Sequence, residues 1–204
     1  AQAIVEGLTL GTYTFSKHKS EETRNKEKHI EEVSILTTPP KLNAVVAGIR
    51  QGETVSQAVM FARDLVNEPP SFTTPTHLAD VAGKLVKGHA NMSCEVCGPK
   101  EMKTLGMEAI LGIARGSDEE PRFIHLSYKG GGGKTVCLVG KGITFDTGGL
   151  SLKDSKNMET MKLDMAGAAA ILGVFSVLSA LKPKVNVVGL IAATENMPGP
   201  KAVK

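Results

Sequence analysis

Four charged side chains that could take part in chemistry lie between residues 141 and 164, among glycines, hydroxyl residues, apolar residues and other charged residues. Lys141 ends an apolar run, Asp146 follows it in "KGITFDTGG", and Lys153 and Asp164 complete the set. Carboxylates are hard oxygen ligands, and one carboxylate can bridge two divalent ions. A lysine can join them only as a neutral amine, because an ammonium has no free lone pair, and adjacent dications favour that form. The pattern therefore favours a divalent metal site as one hypothesis.

Simpler structural roles exist for the same residues. Asp164 lies where a buried helix is predicted to begin, so it could serve as an N-cap, which stabilises a helix by about 1 kcal/mol. Lys141 ends a predicted strand beside a glycine turn, so it must reach water or find a partner, and Asp146 is one candidate. If Asp164 is considered alone, the interpretation as an N-cap is favoured. The metal hypothesis, however, accounts for more of the four charged residues.

The tripeptide Asp146-Thr147-Gly148 is also typical of aspartic proteases. In that class two carboxylates share a proton, so the loop occurs twice, or once in a small β chain that dimerises. This chain has one copy, and the Ala- and Gly-rich stretch "MAGAAAILG" follows it, which argues against a β lobe. A single-loop aspartic protease is thus less favoured, but it stays open as an alternative. A non-catalytic structural fragment is a second alternative.

A second glycine-rich stretch, "GGGGKT" at 130–135, invites comparison with a nucleotide-binding loop. That loop requires a glycine five places before Gly133, where this chain has Tyr128, and a helix after the loop, where this chain has the apolar strand "TVCLVG". The stretch is better interpreted as the tip of a hairpin.

The elements that must position these residues are indicated by apolar periodicity and by turn residues. Thr74 and Pro75 are typical of a helix start. A strand, a helix and a strand with short joins form a βαβ unit, which predicts an α/β fold with a mixed sheet, part of it parallel, flanked by helices. The predicted helices are 42–66, which is either one long helix or a pair broken near Gly52, then 75–87 and 165–181. The predicted strands are 32–38, 92–97, 122–128, 135–140 and 185–193, with 107–116 extended and 122–140 a hairpin.

Composition excludes several classes of protein. The chain has 204 residues, is 41% hydrophobic and carries a net charge of +3, with mixed signs in its densest charged stretch. We therefore predict no nucleic-acid partner. The uncharged stretch 165–181 is shorter than the roughly 20 apolar residues of a membrane span, so we predict a buried helix and no membrane association. Three cysteines do not form a disulfide framework, which indicates the cytoplasm.

Several of these segments resemble a known family. The stretches "LVGKGITFDTGGLSLK" (138–153), "NMETMKLDMAGAAAILG" (157–173) and "ATENMPG" (193–199) are similar to the leucyl aminopeptidases, the two-metal cytosol aminopeptidases. The resemblance implies that 67–204 is the first half of a zinc-exopeptidase-like catalytic domain. It also implies that 41–66 is a connecting helix and that 1–40 is the C-terminal remnant of an N-terminal domain.

The resemblance also implies a role for each candidate residue. Lys141, Asp146 and Asp164 would be metal ligands, with Asp146 bridging two ions, and Lys153 would be the catalytic lysine that polarises the scissile carbonyl. Met161 would line the pocket for the first side chain of a peptide substrate. The implied enzyme is a cytoplasmic hexameric hydrolase that releases N-terminal residues, leucine among them, by means of a water activated by two metals. Zinc or manganese is implied, with magnesium as a third candidate.

The chain also departs from the family pattern. The family has a later box, Asn-Thr-Asp-Ala-Glu-Gly-Arg-Leu, that brings further acidic ligands and an arginine holding a bicarbonate base, and the 204 residues do not contain it. We therefore expect the chain to be a fragment truncated before that box, with an incomplete metal site and no activity alone.

Overall fold

The structure is a computed structural model that describes residues 1–27 and 30–203. It divides into two compact units, Ala1–Asp64 and Leu65–Lys204. The first unit contains helices and the second contains the sheet.

Helices dominate the first unit. They are α1 (Gln2–Gly11), α2 (Glu21–Asn25), a 3-10 turn (Pro39–Lys41) and α3 (Leu42–Asn67), which extends into the second unit. Of the two alternatives for this segment, the single long helix is correct, because α3 is continuous through Gly52. A Cβ atom at Gly52 would lie 2.9 Å from the Gln2 carbonyl oxygen, so this glycine allows α1 to approach α3. The predicted strand 32–38 is also wrong, since the structure gives these residues no strand pairing.

The second unit alternates helices and strands. In chain order its elements are α4 (Pro75–Val86), β1 (Met92–Cys97), α5 (Pro99–Thr104), α6 (Glu108–Ala114), β2 (Arg122–Tyr128), β3 (Thr135–Asp146), α7 (Ser155–Met158), a 3-10 turn (Met161–Leu163), α8 (Ala166–Leu181) and β4 (Asn186–Asn196). The predicted start of α4 is confirmed, because the Thr74 side chain accepts a hydrogen bond from the His77 N–H and Pro75 is the first helical residue.

The four strands form one mixed sheet in the order β1-β2-β4-β3. β2 pairs antiparallel with β1 and β4, whereas β3 and β4 are parallel neighbours joined through α8. The predicted mixed α/β fold and its βαβ unit are confirmed. The predicted hairpin of β2 and β3 is wrong, because β4 lies between them. The glycine stretch between those strands instead bonds to Asn186, whose side chain accepts from the Gly130 N–H and donates to the Gly132 carbonyl.

Helices cover both faces of the sheet. Ile124 and Ile191 are paired, fully buried and on the face covered by α4 and α8. Their neighbours Phe123 and Ala192 point to the opposite face, against α6, because successive strand residues alternate. The prediction of an extended segment at 107–116 is wrong, since α6 occupies most of it. Its apolar residues cover a sheet face, and a short apolar run can do this as a helix or as a strand.

The helix α8 forms most of the core on its side of the sheet. Its buried residues are Ala168, Ala169, Ile171, Leu172, Gly173, Phe175 and Leu178. By length and composition alone, Ser155–Leu181 could cross a membrane, a test that the core helix of a soluble protein also passes. The contacts of α8 with β3 and β4 are those of a core helix.

Two glycines bring α8 unusually close to β3. A Cβ atom at Gly140 would lie 2.6 Å from the Gly167 carbonyl oxygen, and one at Gly167 would lie 2.8 Å from the Lys141 nitrogen. Both distances are too short for a side chain, so the two backbones meet only because both residues are glycine. The residues beside this contact include Lys141 and Asp164.

We predict that Gly140→Ala lowers the free energy of unfolding by about 1–3 kcal/mol, because the methyl group must displace backbone atoms. The measurement is urea unfolding followed by circular dichroism. Gly83→Ala is the control, because Gly83 lies exposed in α4 with no atom within 4 Å of the point that a methyl group would occupy, and it should raise stability by about 0.5–1 kcal/mol. Wild-type stability of Gly140→Ala would contradict the close contact.

Candidate metal centre

A β-bulge in β3 sets the directions of the first two candidate residues. Ile143 pairs with Thr194 and Asp146 pairs with Asn196, so β3 has one more residue than β4 over this interval. Five residues along a regular strand would place Lys141 and Asp146 on opposite faces. Because one extra residue reverses that alternation, the bulge brings both side chains to the same side of the strand.

Lys141 forms an ion pair with Asp164. Lys141 Nζ lies 3.0 Å from Asp164 Oδ2, and the side chains are 56% and 18% exposed respectively. Asp164 Oδ2 is buried, and the described residues give it no hydrogen bond besides this ion pair. The interpretation of Asp164 as an N-cap is wrong, because Met165 precedes α8 and no side chain caps that helix. The interpretation of Asp146 as the ionic partner of Lys141 is also wrong.

Asp146 instead lies in a network of donors. Its Oδ1 accepts hydrogen bonds from the Gly148 N–H at 2.9 Å and from Asn196 Nδ2 at 2.7 Å, and its Oδ2 pairs with Lys153 Nζ. Partial burial raises the pKa of Asp146, but the hydrogen bonds from Lys153, Gly148 and Asn196 and the Lys153 charge outweigh it, so the pKa is lower than usual. Asp146 therefore remains a carboxylate over the ordinary pH range.

A tight turn returns Lys153 to Asp146. Gly148 has φ of +88°, and a Cβ atom there would lie 2.3 Å from the Ser151 carbonyl oxygen. The Lys153 N–H donates to the Thr147 carbonyl at 2.9 Å, which closes the turn. Lys153 Nζ also donates to the Asp146 main-chain oxygen at 3.1 Å. Glycine at 148 therefore permits the turn that places the ammonium group on Asp146.

Met161 lies on the segment that carries Asp164. It begins the 3-10 turn, is half-buried, and its carbonyl accepts from the Asp164 N–H at 3.3 Å. Lys162 Nζ donates to the Asn67 carbonyl at 2.7 Å, which fixes this segment at the end of α3. Met161 and Asp164 are thus joined by backbone bonding.

These residues have the chemistry that a divalent cation needs. Within residues 1–27 and 30–203, no three or more His, Cys, Asp or Glu side chains cluster as a metal site. The described residues do provide two carboxylates and an amine nitrogen, and the buried Asp164 Oδ2 already lies beside a positive group, Lys141 Nζ at 3.0 Å. Carboxylate oxygens are ligands that divalent cations prefer, so a cation could take the place of the ammonium beside that oxygen. Lys141, Asp146 and Asp164 therefore fit a divalent ion.

Asn196 is a site residue that the sequence patterns did not single out. Its side chain contacts Asp146 directly, yet it lies fifty residues further along the chain. The available signal was its place in "ATENMPG" (193–199), one of the stretches that resemble the leucyl aminopeptidases. In the structure it ends β4, the strand beside the one that ends with Asp146.

Comparison of the chain with known proteins gives consistent results. The family described as "Cytosol aminopeptidase family, catalytic domain" matches residues 60–204. The chain is 44% identical to a probable cytosol aminopeptidase of Alkaliphilus metalliredigens (strain QYMF), with 100% of the chain and 41% of that relative covered. It is 41% identical to one of Roseiflexus castenholzii (strain DSM 13941 / HLO8), with 100% and 42% covered. The chain thus spans about two fifths of the length of these relatives.

Solved structures are similar over the whole chain as well. The bottromycin maturation enzyme BotP superimposes with a TM-score of 0.82 at 35% identity, covering 100% of this chain and 41% of that one. A structure of BotP in complex with Mn gives a TM-score of 0.83 at 36% identity, with the same coverage.

We predict that Lys153→Met raises the pKa of Asp146, because it removes a hydrogen bond and a charge that favour the carboxylate. A pKa that is depressed on folding adds stability above the unfolded value, and this stability is lost as the pH falls through the folded value. The variant should therefore lose less stability on acidification. The measurement is a carbon-13 NMR titration of the metal-free protein.

Lys156→Met is the matched control, because Lys156 is exposed on α7 nearby in sequence. It should leave the pKa of Asp146 unchanged. An equal pKa of Asp146 in the wild type and in Lys153→Met would show that the ion pair does not form.

Proposed function

The chain belongs to the cytosol aminopeptidase family, and on that premise we propose that it is part of a metal-dependent aminopeptidase that removes N-terminal residues from peptides. The observation that carries the proposal is the pairing of Lys141 with Asp164 beside the bulged strand that ends at Asp146. A peptide-cleaving metal enzyme needs oxygen ligands and a positive group for the carbonyl, and this segment contains both.

We propose that Lys141, Asp146 and Asp164 hold two divalent ions, with Asp146 bridging them. The Mn complex of the similar enzyme BotP supports a divalent metal, and zinc and magnesium remain candidates. Such ions lower the pKa of a bound water towards neutrality and polarise a carbonyl when they are present. Lys141 would hold an ion as a neutral amine in place of its ion pair with Asp164, and its side chain is 56% exposed.

Two further residues would act on the peptide. The Lys153 ammonium is held at Asp146 by its contacts with Oδ2 and the main-chain oxygen. From there we propose that it donates a hydrogen bond to the scissile carbonyl and stabilises the negative charge that develops on it. Met161 is proposed to line the pocket for the first side chain of the peptide, since it lies three residues before Asp164 on a short turn.

The remaining features concern the longer protein. We propose that 67–204 is the first half of the catalytic domain, 41–66 a connecting helix and 1–40 the end of an N-terminal domain. The family match from residue 60 supports the first of these assignments. The further acidic ligands, the bicarbonate and a hexameric assembly rest on the family resemblance. A cytoplasmic location is supported by the names of the relatives.

We predict that the full-length protein cleaves leucine anilide only with a divalent metal, and that Asp146→Asn lowers kcat/KM at least about 100-fold. Loss of a group that merely supports a metal ligand already costs about 10–100-fold, so loss of a bridging ligand should cost more. The measurement is the initial rate of leucine anilide hydrolysis before chelation, after chelation and after Mn²⁺ is restored.

Asp80→Asn is the control, because it makes the same change at an exposed site on α4 and should be fully active. Undiminished activity of Asp146→Asn would reject the metal role of Asp146. Activity that resists chelators, is highest at acid pH and cleaves internal bonds would instead indicate an aspartic protease.

A further inference from the structure

Asn196 joins the end of β4 to the loop that follows β3. Its carbonyl accepts hydrogen bonds from the Thr147 N–H at 2.9 Å and from Thr147 Oγ1 at 2.7 Å. Its side-chain Nδ2 donates to Asp146 Oδ1 at 2.7 Å. One residue therefore holds both the backbone of the loop and the carboxylate at its start.

This arrangement gives the two oxygens of Asp146 different surroundings. Oδ1 receives two neutral donors, from Asn196 and from the Gly148 N–H. Oδ2 receives none of these and faces the Lys153 ammonium instead. Because neutral amide donors fix a carboxylate without cancelling its charge, Oδ2 keeps its charge and is oriented towards the side on which a positive group, here the Lys153 ammonium, lies.

Gly149 has the space that the Asn196 amide requires. A Cβ atom at Gly149 would lie 2.9 Å from Asn196 Oδ1, and the residue has φ of +63°, in the region that favours glycine. Position 149 therefore requires glycine because a side chain would collide with the Asn196 amide. Position 148 requires glycine because of the turn. This contact is a second observation that places the Asn196 side chain against the loop.

We infer that Asn196 is a positioning residue that fixes the carboxylate of Asp146 so that Oδ2 faces a divalent cation. The inference rests on the proposed metal function and assigns a role to a residue outside the ligand set. A purely structural asparagine would affect stability alone, whereas a positioning residue also affects the affinity for the cation.

The test compares Mn²⁺ dissociation constants of the full-length wild type, Asn196→Ala and Asn186→Ala. Free Mn²⁺ is measured by electron paramagnetic resonance. Asn186 is a matched control, because it lies at the other end of β4 and its amide also bonds to a loop, at Gly130 and Gly132. We expect Asn196→Ala to weaken Mn²⁺ binding about 10-fold or more, whereas Asn186→Ala should bind as wild type even if its Tm falls.

Two results would overturn the inference. One is wild-type Mn²⁺ affinity in Asn196→Ala, and the other is an equal loss of affinity in both variants, which would indicate general destabilisation. If Asn196→Ala does not fold, Asn196→Ser provides the same test, because its hydroxyl lies one bond closer to the backbone and should not reach Asp146.

The control for the proposed function is Asp146→Asn in the same titration. A wild type that does not bind Mn²⁺, or an Asp146→Asn variant with unchanged affinity, would reject the metal function and this inference with it. Loss of affinity in Asp146→Asn together with wild-type affinity in Asn196→Ala would reject the role of Asn196 alone.

Discussion

The candidate site depends on the contact between the backbones of Gly140 and Gly167. A side chain at either position would collide with main-chain atoms of the other segment. Since Lys141 follows the first glycine and Asp164 lies three residues before the second, the contact brings their charges to 3.0 Å. The packing of α8 on the sheet and the geometry of the site therefore have the same origin. The small residues of "MAGAAAILG" therefore allow both the packing of the core and the geometry of the candidate site.

The electrostatics of the site follow from its two ion pairs. Lys141 with Asp164 and Lys153 with Asp146 balance the charge of the four groups. The pairs differ in exposure, because the Lys141 side chain is 56% exposed, whereas that of Lys153 is 26% exposed. The exposed Lys141 side chain can therefore reach water, while Lys153 is held by two oxygens and by the turn at Gly148. This difference allows Lys141 to change its partner, whereas Lys153 keeps its position.

The sequence predicted several local features correctly, although not the states of 32–38 and 107–116, and it predicted the order of the strands poorly. The start of α4 at Thr74 and Pro75 was readable, because capping depends on neighbouring residues. The position of β4 between β2 and β3 was not, since strand order depends on pairing between distant segments. The four charged residues were identified from the sequence, but their pairing was not. The bulge after Ile143 and the contact of Asn196 with Asp146 both come from the register of β3 against β4.

The proposed function requires that Lys141, Asp146 and Asp164 bind divalent metal together. Anomalous diffraction from crystals of the full-length protein grown with Zn²⁺ would locate the ions themselves. We expect anomalous peaks at about 2 Å from Asp146 and Asp164 oxygens and from Lys141 Nζ, with the Lys141–Asp164 ion pair broken. Peaks elsewhere in the protein, with that ion pair intact, would contradict the proposed site.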